Sequence, residues 1–252
     1  VLSHLGSGDD ELARETDVDA ILGGHVHERR LDRIDGTLLT RPGANGRGVV
    51  EVDLAAGTAV IHDVVDAPLD RDLAQAMARR RHDAGLDEVV AHVRDPIRRD
   101  RSLKHTGECR VGNFIADAYR WAADVDVGLQ NSGGIREGPP LAGAVTVADL
   151  ISVVPFDEPV TVADLSGREL LELCRQADGE HVQTVADRWH AHVSGLTIYR
   201  DEDGIDRVDV GGDPLDPGAT YSLATTDYLF HTDHEFPVLD GHHRTEQLST
   251  QY

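Results

Sequence analysis

Residues 127–138 read VGLQNSGGIREG, and this stretch decides the fold. The apolar run from Val125 to Leu129 predicts a buried strand, and the glycines that follow allow a tight turn in which the backbone approaches a ligand closely. Asn131 carries both a hydrogen-bond donor and an acceptor, and Arg136 carries a planar guanidinium that suits phosphate or carboxylate. The stretch therefore predicts a strand that ends in a ligand-binding loop. The other interpretation is a tight glycine turn beside a surface arginine.

Helices and strands alternate around this stretch. Apolar residues at helical spacing and β-branched runs predict helices at 111–123, 147–153 and 166–177 and strands at 193–199, 205–210 and 221–226. The third helix opens with Ser166, and Glu169 follows three residues later, which is the pattern of a capping box. Alternation of this kind is typical of the α/β (α+β) class.

The first 104 residues have a different pattern. It predicts a helix at 10–16 and short strands at 19–22, 37–40, 48–54 and 58–64. Residues 67–101 are rich in Asp and Arg, with apolar residues at helical spacing, and this predicts a charged helix followed by a linker. We therefore predict three segments, namely a first unit at 1–66, a linker helix at 67–104 and a second unit at 105–252.

Three histidines in glycine-containing loops are candidate metal ligands. His4 lies in the segment SHLG, and His25 and His27 lie in GGHVH, directly after the predicted strand at 19–22. Imidazole is a common ligand for Zn, Mn, Fe and Ni, and a loop that follows a buried strand can hold such a ligand in place. Spacing alone also fits a solvated loop, because the chain contains 14 histidines.

Four motifs of the second unit occur in a fixed order, namely GECRVGNFIADAYR at 107–120, VGLQNSGGIREG at 127–138, GAVTVADLISVVPFDEPV at 143–160 and VADLSGRELLEL at 162–173. Together they resemble the C-terminal domain of the 5′-nucleotidase family, which includes bacterial UDP-sugar hydrolases and ecto-5′-nucleotidases. The resemblance continues to Phe236. It implies an α/β domain that binds the nucleoside part of a substrate.

The resemblance also implies a set of substrate-binding residues. Asn131 and Arg136 match residues that contact substrate in the family, and Tyr228 matches an aromatic residue that stacks on the base. Where the family has Gly-Gly-Asp-Gly, this chain has Thr-Asp-His-Glu at 232–235, so an ungapped alignment puts His234 in place of the ribose-binding aspartate. The implied set is Asn131, Gly133, Gly134, Arg136, Phe156, Tyr228, Asp233, His234 and Arg110.

Two members of this set have a second interpretation. Phe156 follows Pro155 at a position that lines the pocket in some relatives, and a core aromatic is an equal alternative. Some relatives place an arginine near Gly107, and Arg110 is the arginine that stands closest to that position here. The alternative for Arg110 is a surface charge beside a helix.

Residues 17–54, which include DVDAILGGHVHERR and LLTRPGANGRGVVEVDL, resemble the end of a calcineurin-like metallophosphoesterase domain. This resemblance implies that His4 and His25 share one divalent ion and that His27 binds a second, with Mn, Zn or a similar metal in the site. The segments of D-x-H, G-D and G-N-H-D/E type that supply the other ligands have no counterpart in the order that the family requires. Three ligands divided between two ions do not hold the pair, roughly 3.5–4 Å apart, that in-line phosphoryl displacement uses. We therefore expect this chain by itself to be inactive or very weak.

The composition is strongly acidic. The chain has 46 acidic and 24 basic residues, a formal net charge of -22, and Lys104 as its only lysine. Such a surface repels nucleic acid polymers and anionic membranes, and molar salt screens it. We therefore expect a protein from a halophile, with an acidic mesophilic protein as the alternative. No apolar run is long enough for a membrane span. The first residues do not form a signal peptide, although a secreted or cell-surface parent stays open.

The cysteines and the remaining histidines indicate no site. Cys109 and Cys174 are expected to be free, buried thiols, because two distant cysteines do not make a disulfide framework. Solvated loop positions without partner spacing for a metal are expected for His181, His190, His192, His242 and His243.

These patterns together predict a metal-dependent 5′-nucleotidase-type hydrolase of nucleotide phosphoesters, of which this chain is the C-terminal part. Two alternatives stay open. One is a non-catalytic module that binds a nucleotide or sugar phosphate, and the other is a decayed fragment without function. The expected partner is a nucleotide or related phosphoester, and the sequence does not determine the oligomeric state.

Overall fold

The computed structural model describes residues 1–177, 191–202, 204–231, 235–240 and 246–248. Helices and strands alternate along the chain, so the predicted α/β class is confirmed. The chain divides into two compact units, Val1–Ala78 and Arg79–Tyr252.

The first unit contains a four-stranded sheet and a hairpin. Its elements are the strands β1 Leu2–Ser3, β2 Ala20–Gly23, β3 Arg29–Ile34, β4 Thr37–Pro42, β5 Gly48–Asp53 and β6 Thr58–Asp63, the helix α1 Asp9–Glu15, and the start of the helix α2 Arg71–Asp83. The sheet has the order β1-β2-β4-β3, in which β1 and β4 run parallel to β2 and β3 runs antiparallel to β4. The hairpin joins β5 and β6.

A small apolar core and a buried ion pair lie in this unit. Ala13, Ile21 and Leu39 form the core, and the guanidinium of Arg41 contacts the carboxylate of Asp9 at 2.7 Å while both side chains are buried. The predicted helix at 10–16 and the four predicted strands are confirmed within one or two residues.

Strand β3 was not predicted, because four of its six residues are Arg or Asp. It lies at the edge of the sheet, where one side of the strand needs no partner and charged side chains remain in solvent.

The second unit is built on a mixed five-stranded sheet. Its elements are β7 Val89–Ile97, α3 Arg101–Thr106, α4 Arg110–Ala123, β8 Val127–Asn131, β9 Leu141–Thr146, α5 Val147–Ile151, β10 Val160–Ser166, α6 Gly167–Ala177, β11 Ala191–Ser194, β12 Leu196–Asp201, β13 Gly204–Val210, β14 Asp213–Pro214, β15 Thr220–Thr226 and β16 Glu246–Leu248. The large sheet has the order β11-β8-β15-β10-β16, in which β8 and β15 are parallel and the other pairs are antiparallel. A three-stranded sheet (β12-β13-β14) and a ribbon of β7 and β9 complete the unit.

The prediction of a helix followed by a linker over 67–104 was wrong in its second half. Helix α2 forms at Arg71–Asp83, but Val89–Ile97 is a strand that pairs with β9. The β-branched residues Val89, Val90 and Val93 favour a strand, but the charged residues near them obscured this pattern in the sequence. Most of β7 is exposed in the ribbon, which is possible for an edge strand.

The predicted helices of the second unit form as their patterns require. Helix α4 buries Val111, Ile115 and Ala116. It packs so closely on β8 that a Cβ at Gly128 would lie 2.1 Å from the carbonyl oxygen of Ala116. At the start of α6, Ser166 and Glu169 form the predicted capping box. Among the described residues, no helix is both long and apolar enough to cross a membrane.

The two cysteines are free and buried, as predicted. Burial raises the pKa of both thiols, and that of Cys174 rises to about 12.

The turns that follow two neighbouring strands lie at one edge of the large sheet. Because β8 and β15 are parallel neighbours, their carboxyl ends lie at the same edge. Short 3-10 turns follow both strands, at Ser132–Gly134 and Asp227–Phe230. Strand β10 runs the other way, so the segment that precedes Val160 reaches the same edge.

Candidate functional site

A cavity of about 250 Å³ opens at this edge of the sheet. The residues that line it come from the ends of β8 and β15, from the segment before β10 and from the position before Phe236, namely Gln130, Asn131, Gly133, Gly134, Arg136, Val154, Phe156, Glu158, Thr226, Tyr228 and Glu235. Six of the residues implied by the resemblance are therefore brought together here, and they are Asn131, Gly133, Gly134, Arg136, Phe156 and Tyr228.

A chain of hydrogen bonds runs along the inner wall of the cavity. The hydroxyl of Tyr119 donates to Oε1 of Gln130 at 2.9 Å, and Nε2 of Gln130 donates to Oδ1 of Asn131 at 2.9 Å. Nδ2 of Asn131 then donates to Oε2 of Glu235 at 2.6 Å. Each amide accepts on one side and donates on the other, so the orientation of Asn131 is fixed by both neighbours.

Glu235 is the end of this chain of hydrogen bonds, and sequence reasoning missed it. Its side chain is buried, and Tyr228 donates from its hydroxyl to Oε1 at 3.5 Å. Burial raises the pKa of the Glu235 carboxyl, and the hydrogen bonds from Asn131 and Tyr228 offset part of that rise. The signal in the sequence was the departure from the family at 232–235, which was assigned to His234 and Asp233. Both of those residues lie outside the described part of the chain.

The mouth of the cavity carries a cation and two aromatic rings. The guanidinium carbon of Arg136 lies 4.7 Å from the ring centre of Phe156, within range of a cation–π contact. Phe156 is 36% exposed and Tyr228 is 44% exposed. Of the two interpretations of Phe156, the core aromatic is therefore excluded, because the ring faces the cavity and solvent.

The loop after β8 is held by close packing on the amides. A Cβ at Gly134 would lie 2.4 Å from Nε2 of Gln130 and 2.6 Å from Oδ1 of Asn131. Any side chain at this position would therefore displace the two amides that the hydrogen-bond chain depends on.

A second carboxyl, Glu158, lines the cavity on the side of β10. Burial raises its pKa, and the negative charge of Asp227 raises it further. The cavity thus contains two acids with raised pKa values, Glu158 and Glu235, and one arginine, Arg136.

Behind the loop lies a buried polar layer that includes His192. This histidine was predicted to be a solvated loop residue, and that prediction was wrong, because His192 is 1% exposed. Its ring lies against Gly112, with Nε2 3.2 Å from Oγ of Ser132 and 3.7 Å from Sγ of Cys109. Lys104, also buried, donates from Nζ to the carbonyl of Ile135. The other four histidines of that prediction, His181, His190, His242 and His243, lie outside the described residues.

Arg110 does not line the cavity. Its guanidinium donates to the carbonyl oxygens of Asp95 and Pro96, at 3.3 Å and 3.5 Å, on the ribbon strand β7. The structure therefore does not group Arg110 with Asn131 and Arg136.

The candidate metal ligands lie in the first unit. The rings of His4 and His25 are 5.0 Å apart between centroids and meet edge to face. The two candidate ligands are therefore in direct ring contact. Gly24 leaves the space for His4, since a Cβ there would lie 3.0 Å from Nδ1 of His4.

His25 and His27 both have left-handed backbone conformations, with φ of 69° and 59°. Positive φ is uncommon outside glycine, and it marks a backbone that the surrounding structure constrains. Within the described ranges, no group of three or more His, Cys, Asp or Glu side chains is arranged to hold a metal ion. His4, His25 and His27 are all exposed.

Comparison with known proteins gives one family and several relatives. The family of the 5′-nucleotidase, C-terminal domain, matches residues 89–241. The endonuclease YhcR of Bacillus subtilis is 26% identical over an alignment 235 positions long, and the alignment covers 87% of this chain. An apyrase of Tabanus yao is 29% identical over an alignment 294 positions long, and the alignment covers 91% of this chain. The crystal structure of a 5′-nucleotidase precursor from Thermus thermophilus superposes with a TM-score of 0.68 at 25% identity and covers 97% of this chain.

This chain spans only part of the length of each relative. It corresponds to 19% of YhcR, to 51% of the apyrase and to 56% of the chain of the Thermus thermophilus protein.

Proposed function

Because the chain belongs to the family of the 5′-nucleotidase, C-terminal domain, we propose that its cavity binds the nucleotide substrate of a 5′-nucleotidase-type phosphoester hydrolase. The observation that carries this proposal is the cavity itself, in which Asn131, Arg136 and Tyr228 come together from separate segments. The family match, over residues 89–241, includes all three of these residues.

A nucleotide offers three kinds of chemistry, and the cavity has a partner for each. The exposed faces of Tyr228 and Phe156 can stack on a base. The amide of Asn131 can donate and accept hydrogen bonds with its polar groups, and the carboxylate of Glu235 can accept them. The guanidinium of Arg136, exposed at the mouth, can bind a phosphate through two parallel hydrogen bonds.

The hydrolysis itself belongs to the metal chemistry of the first unit. We propose that His4 and His25 hold one divalent ion and that His27 contributes to a second. When bound, such ions polarise the phosphate and lower the pKa of a water nucleophile. The residues of this chain supply three imidazoles for that purpose, which is fewer than a two-ion site requires. We therefore propose that the 252-residue chain alone binds its ligand without appreciable turnover, and phosphatase activity that EDTA removes and Mn²⁺ restores would contradict this.

We also propose an arrangement of segments. Residues 1–66 are the end of a calcineurin-like metallophosphoesterase domain, helix α2 follows as a linker, and the substrate-binding domain begins at 89 rather than at 105. The pairing of β7 with β9 and the start of the family match support this earlier start of the second domain.

The acidic composition supports a further part of the proposal, which is adaptation to high salt. With a net charge of -22 the native chain repels itself, and salt at about 1 M shortens the screening length to roughly 3 Å. Thermal unfolding in increasing KCl tests this, because a halophilic protein gains stability up to molar salt. A midpoint that does not respond to KCl would exclude the halophilic origin.

Calorimetric titration with AMP and adenosine tests the binding function. Both ligands should bind to the wild-type chain. In Arg136→Ala the affinity for AMP should fall roughly 10- to 100-fold, because a hydrogen bond to a charged group contributes about 1.5–3 kcal/mol. The affinity for adenosine should stay within about twofold. Arg175→Ala, which removes an exposed arginine of α6, is the matched control. Failure of the wild-type chain to bind either ligand would overturn the proposal.

A further inference from the structure

The carboxylate of Glu235 has one oxygen that the protein leaves largely unsatisfied. Oε2 accepts the 2.6 Å hydrogen bond from Asn131, whereas the one contact that Oε1 makes with the described residues is the long 3.5 Å hydrogen bond from the hydroxyl of Tyr228. The residue is 7% exposed as a whole, and it lines the cavity. A buried carboxylate oxygen without a good donor is costly, and a ligand that supplies the donor recovers that free energy.

We infer that Glu235 determines ligand specificity by accepting a hydrogen bond from a donor group on the uncharged part of the nucleotide. This inference rests on the proposed nucleotide-binding function and deepens it. Sequence reasoning assigned no role to Glu235, and the resemblance to the family provides none, since a glycine stands at the aligned position of the family motif.

The direction of the hydrogen bonds fixes the polarity of this subsite. Tyr119, Gln130 and Asn131 each donate toward Glu235, and Tyr228 donates to it from the other side. An ionised carboxylate only accepts, so nothing at Oε1 can donate to a ligand. A ligand carbonyl or unprotonated ring nitrogen placed there would meet lone pairs and be rejected, whereas an N–H or O–H group would be bound.

The charges of the cavity set the orientation of the ligand. Arg136 lies at the mouth, and the two acids, Glu158 and Glu235, line the wall. A phosphate is repelled by the acids and attracted by the arginine, so it stays at the mouth while the neutral, donor-bearing part enters. Both a sugar hydroxyl and an exocyclic amino group of the base have the required chemistry.

Glu235→Gln is the informative substitution because it preserves the shape of the side chain. Its carbonyl can still accept from Asn131, but its amide nitrogen then occupies the position of Oε1. The acceptor in the cavity is thereby replaced by a donor. Glu202→Gln, in the exposed turn between β12 and β13, makes the same chemical change outside the cavity and serves as the control.

Calorimetric titration of the full chain with adenosine, purine riboside, 2′-deoxyadenosine and 3′-deoxyadenosine tests the inference. Purine riboside lacks the amino group, and each deoxynucleoside lacks one hydroxyl. We expect Glu235→Gln to weaken adenosine binding roughly 10- to 100-fold, as for the loss of a hydrogen bond to a charged group. On the wild-type chain, one of the three analogues should bind more weakly than adenosine by a similar factor. The same analogue should bind Glu235→Gln with nearly the same affinity as it binds the wild-type chain. Which analogue does so distinguishes the amino group from the hydroxyls.

Three outcomes would overturn the inference. Adenosine could bind Glu235→Gln and the wild-type chain equally, or Glu235→Gln could weaken all four ligands by the same factor, as a purely structural role requires. The third is that every analogue binds the wild-type chain as tightly as adenosine. Thermal unfolding shows whether Glu235→Gln is folded. If it is not, the comparison of the analogues on the wild-type chain still tests the inference. In all three cases adenosine binds, so the proposed function stands. If no nucleoside binds the wild-type chain, the proposed function fails and the inference fails with it.

Discussion

The carboxamide of Asn131 donates a 2.6 Å hydrogen bond to the carboxylate of Glu235, although the two residues are 104 positions apart in the sequence. The bond joins the end of β8 to the segment that follows β15, and the parallel pairing of those strands brings both to one edge of the sheet. The orientation of Asn131 and the protonation of Glu235 therefore depend on each other.

The first prediction concerns the dependence of stability on pH. Burial raises the pKa of Glu235 above its ordinary value of 4.5. Between the pKa of the unfolded chain and that of the folded chain, the folded state binds more protons, so the free energy of unfolding falls as the pH rises. Glu235→Gln cannot titrate. Its stability relative to the wild-type chain should therefore increase as the pH rises through this window and stay constant above the raised pKa.

Urea denaturation of both proteins at a series of pH values measures this difference. Other groups titrate equally in both proteins and cancel in the comparison. Glu158, whose pKa is also raised, is the positive control, since Glu158→Gln should show a difference of the same sign. Parallel curves for Glu235→Gln and the wild-type chain would mean that the Glu235 carboxyl titrates alike in the folded and unfolded states.

The second prediction concerns Gly134→Ala. The added methyl group would lie 2.4 Å from Nε2 of Gln130, which is too close for either group to remain in place. The free energy of unfolding should fall by about 1–3 kcal/mol, as is typical of overpacking. Adenosine affinity should fall by at least about tenfold, because Asn131 loses the neighbour that orients it. Gly107→Ala is the control, since its backbone is extended and a Cβ there meets nothing within 4 Å. Equal behaviour of the two variants in denaturation and titration would show that the amides can move without consequence.

The sequence predicted those parts of the site that depend on local pattern. Strand β8, its glycine turn and helix α4 follow from apolar spacing and from the conformational freedom of glycine, so the positions of Asn131 and Arg136 beside this turn were predicted from local pattern, and their substrate contact from the family resemblance. Glu235 was missed because its role arises from a partner 104 residues away.

His192 was misplaced for the same reason. The sequence around this histidine has no clear pattern, so a solvated position was predicted. The pairing of β11 with β8 buries the residue beside Ser132. Strands β3 and β7 were missed because edge strands tolerate charge, which removes the alternation on which strand prediction depends.

The third prediction concerns metal binding by the first unit. If His4 and His25 share one ion, as proposed above, calorimetric titration with Mn²⁺ or Zn²⁺ should show at most one site of measurable affinity. His4→Ala and His25→Ala should each weaken that site by at least about tenfold, because each removes one of two ligands. His62→Ala, which removes an exposed histidine paired with Glu51, should have no effect. Two tight Mn²⁺ sites in this chain would contradict the expectation of an incomplete ligand set.

The fourth prediction compares two ion pairs of the first unit with equal contact distances. Arg41 contacts Asp9 at 2.7 Å with both side chains buried, and Arg29 contacts Asp63 at 2.7 Å with both side chains about half exposed or more. Arg41→Ala would leave the carboxylate of Asp9 buried without its partner, which costs about 3–5 kcal/mol. Arg29→Ala should cost less than about 1 kcal/mol, because water screens the exposed pair.

Hydrogen exchange followed by mass spectrometry resolves this comparison, because peptides from residues 1–78 report on the first unit by itself. Arg41→Ala should increase exchange throughout β2 and β4, whereas Arg29→Ala should change only the end of β3. A third variant, Asp9→Leu combined with Arg41→Met, removes both charges and should recover much of the protection, since apolar replacement of a buried pair is often neutral or stabilising. If the double variant were as unprotected as Arg41→Ala, the loss would come from the shape of the Arg41 side chain rather than from the unpaired charge of Asp9.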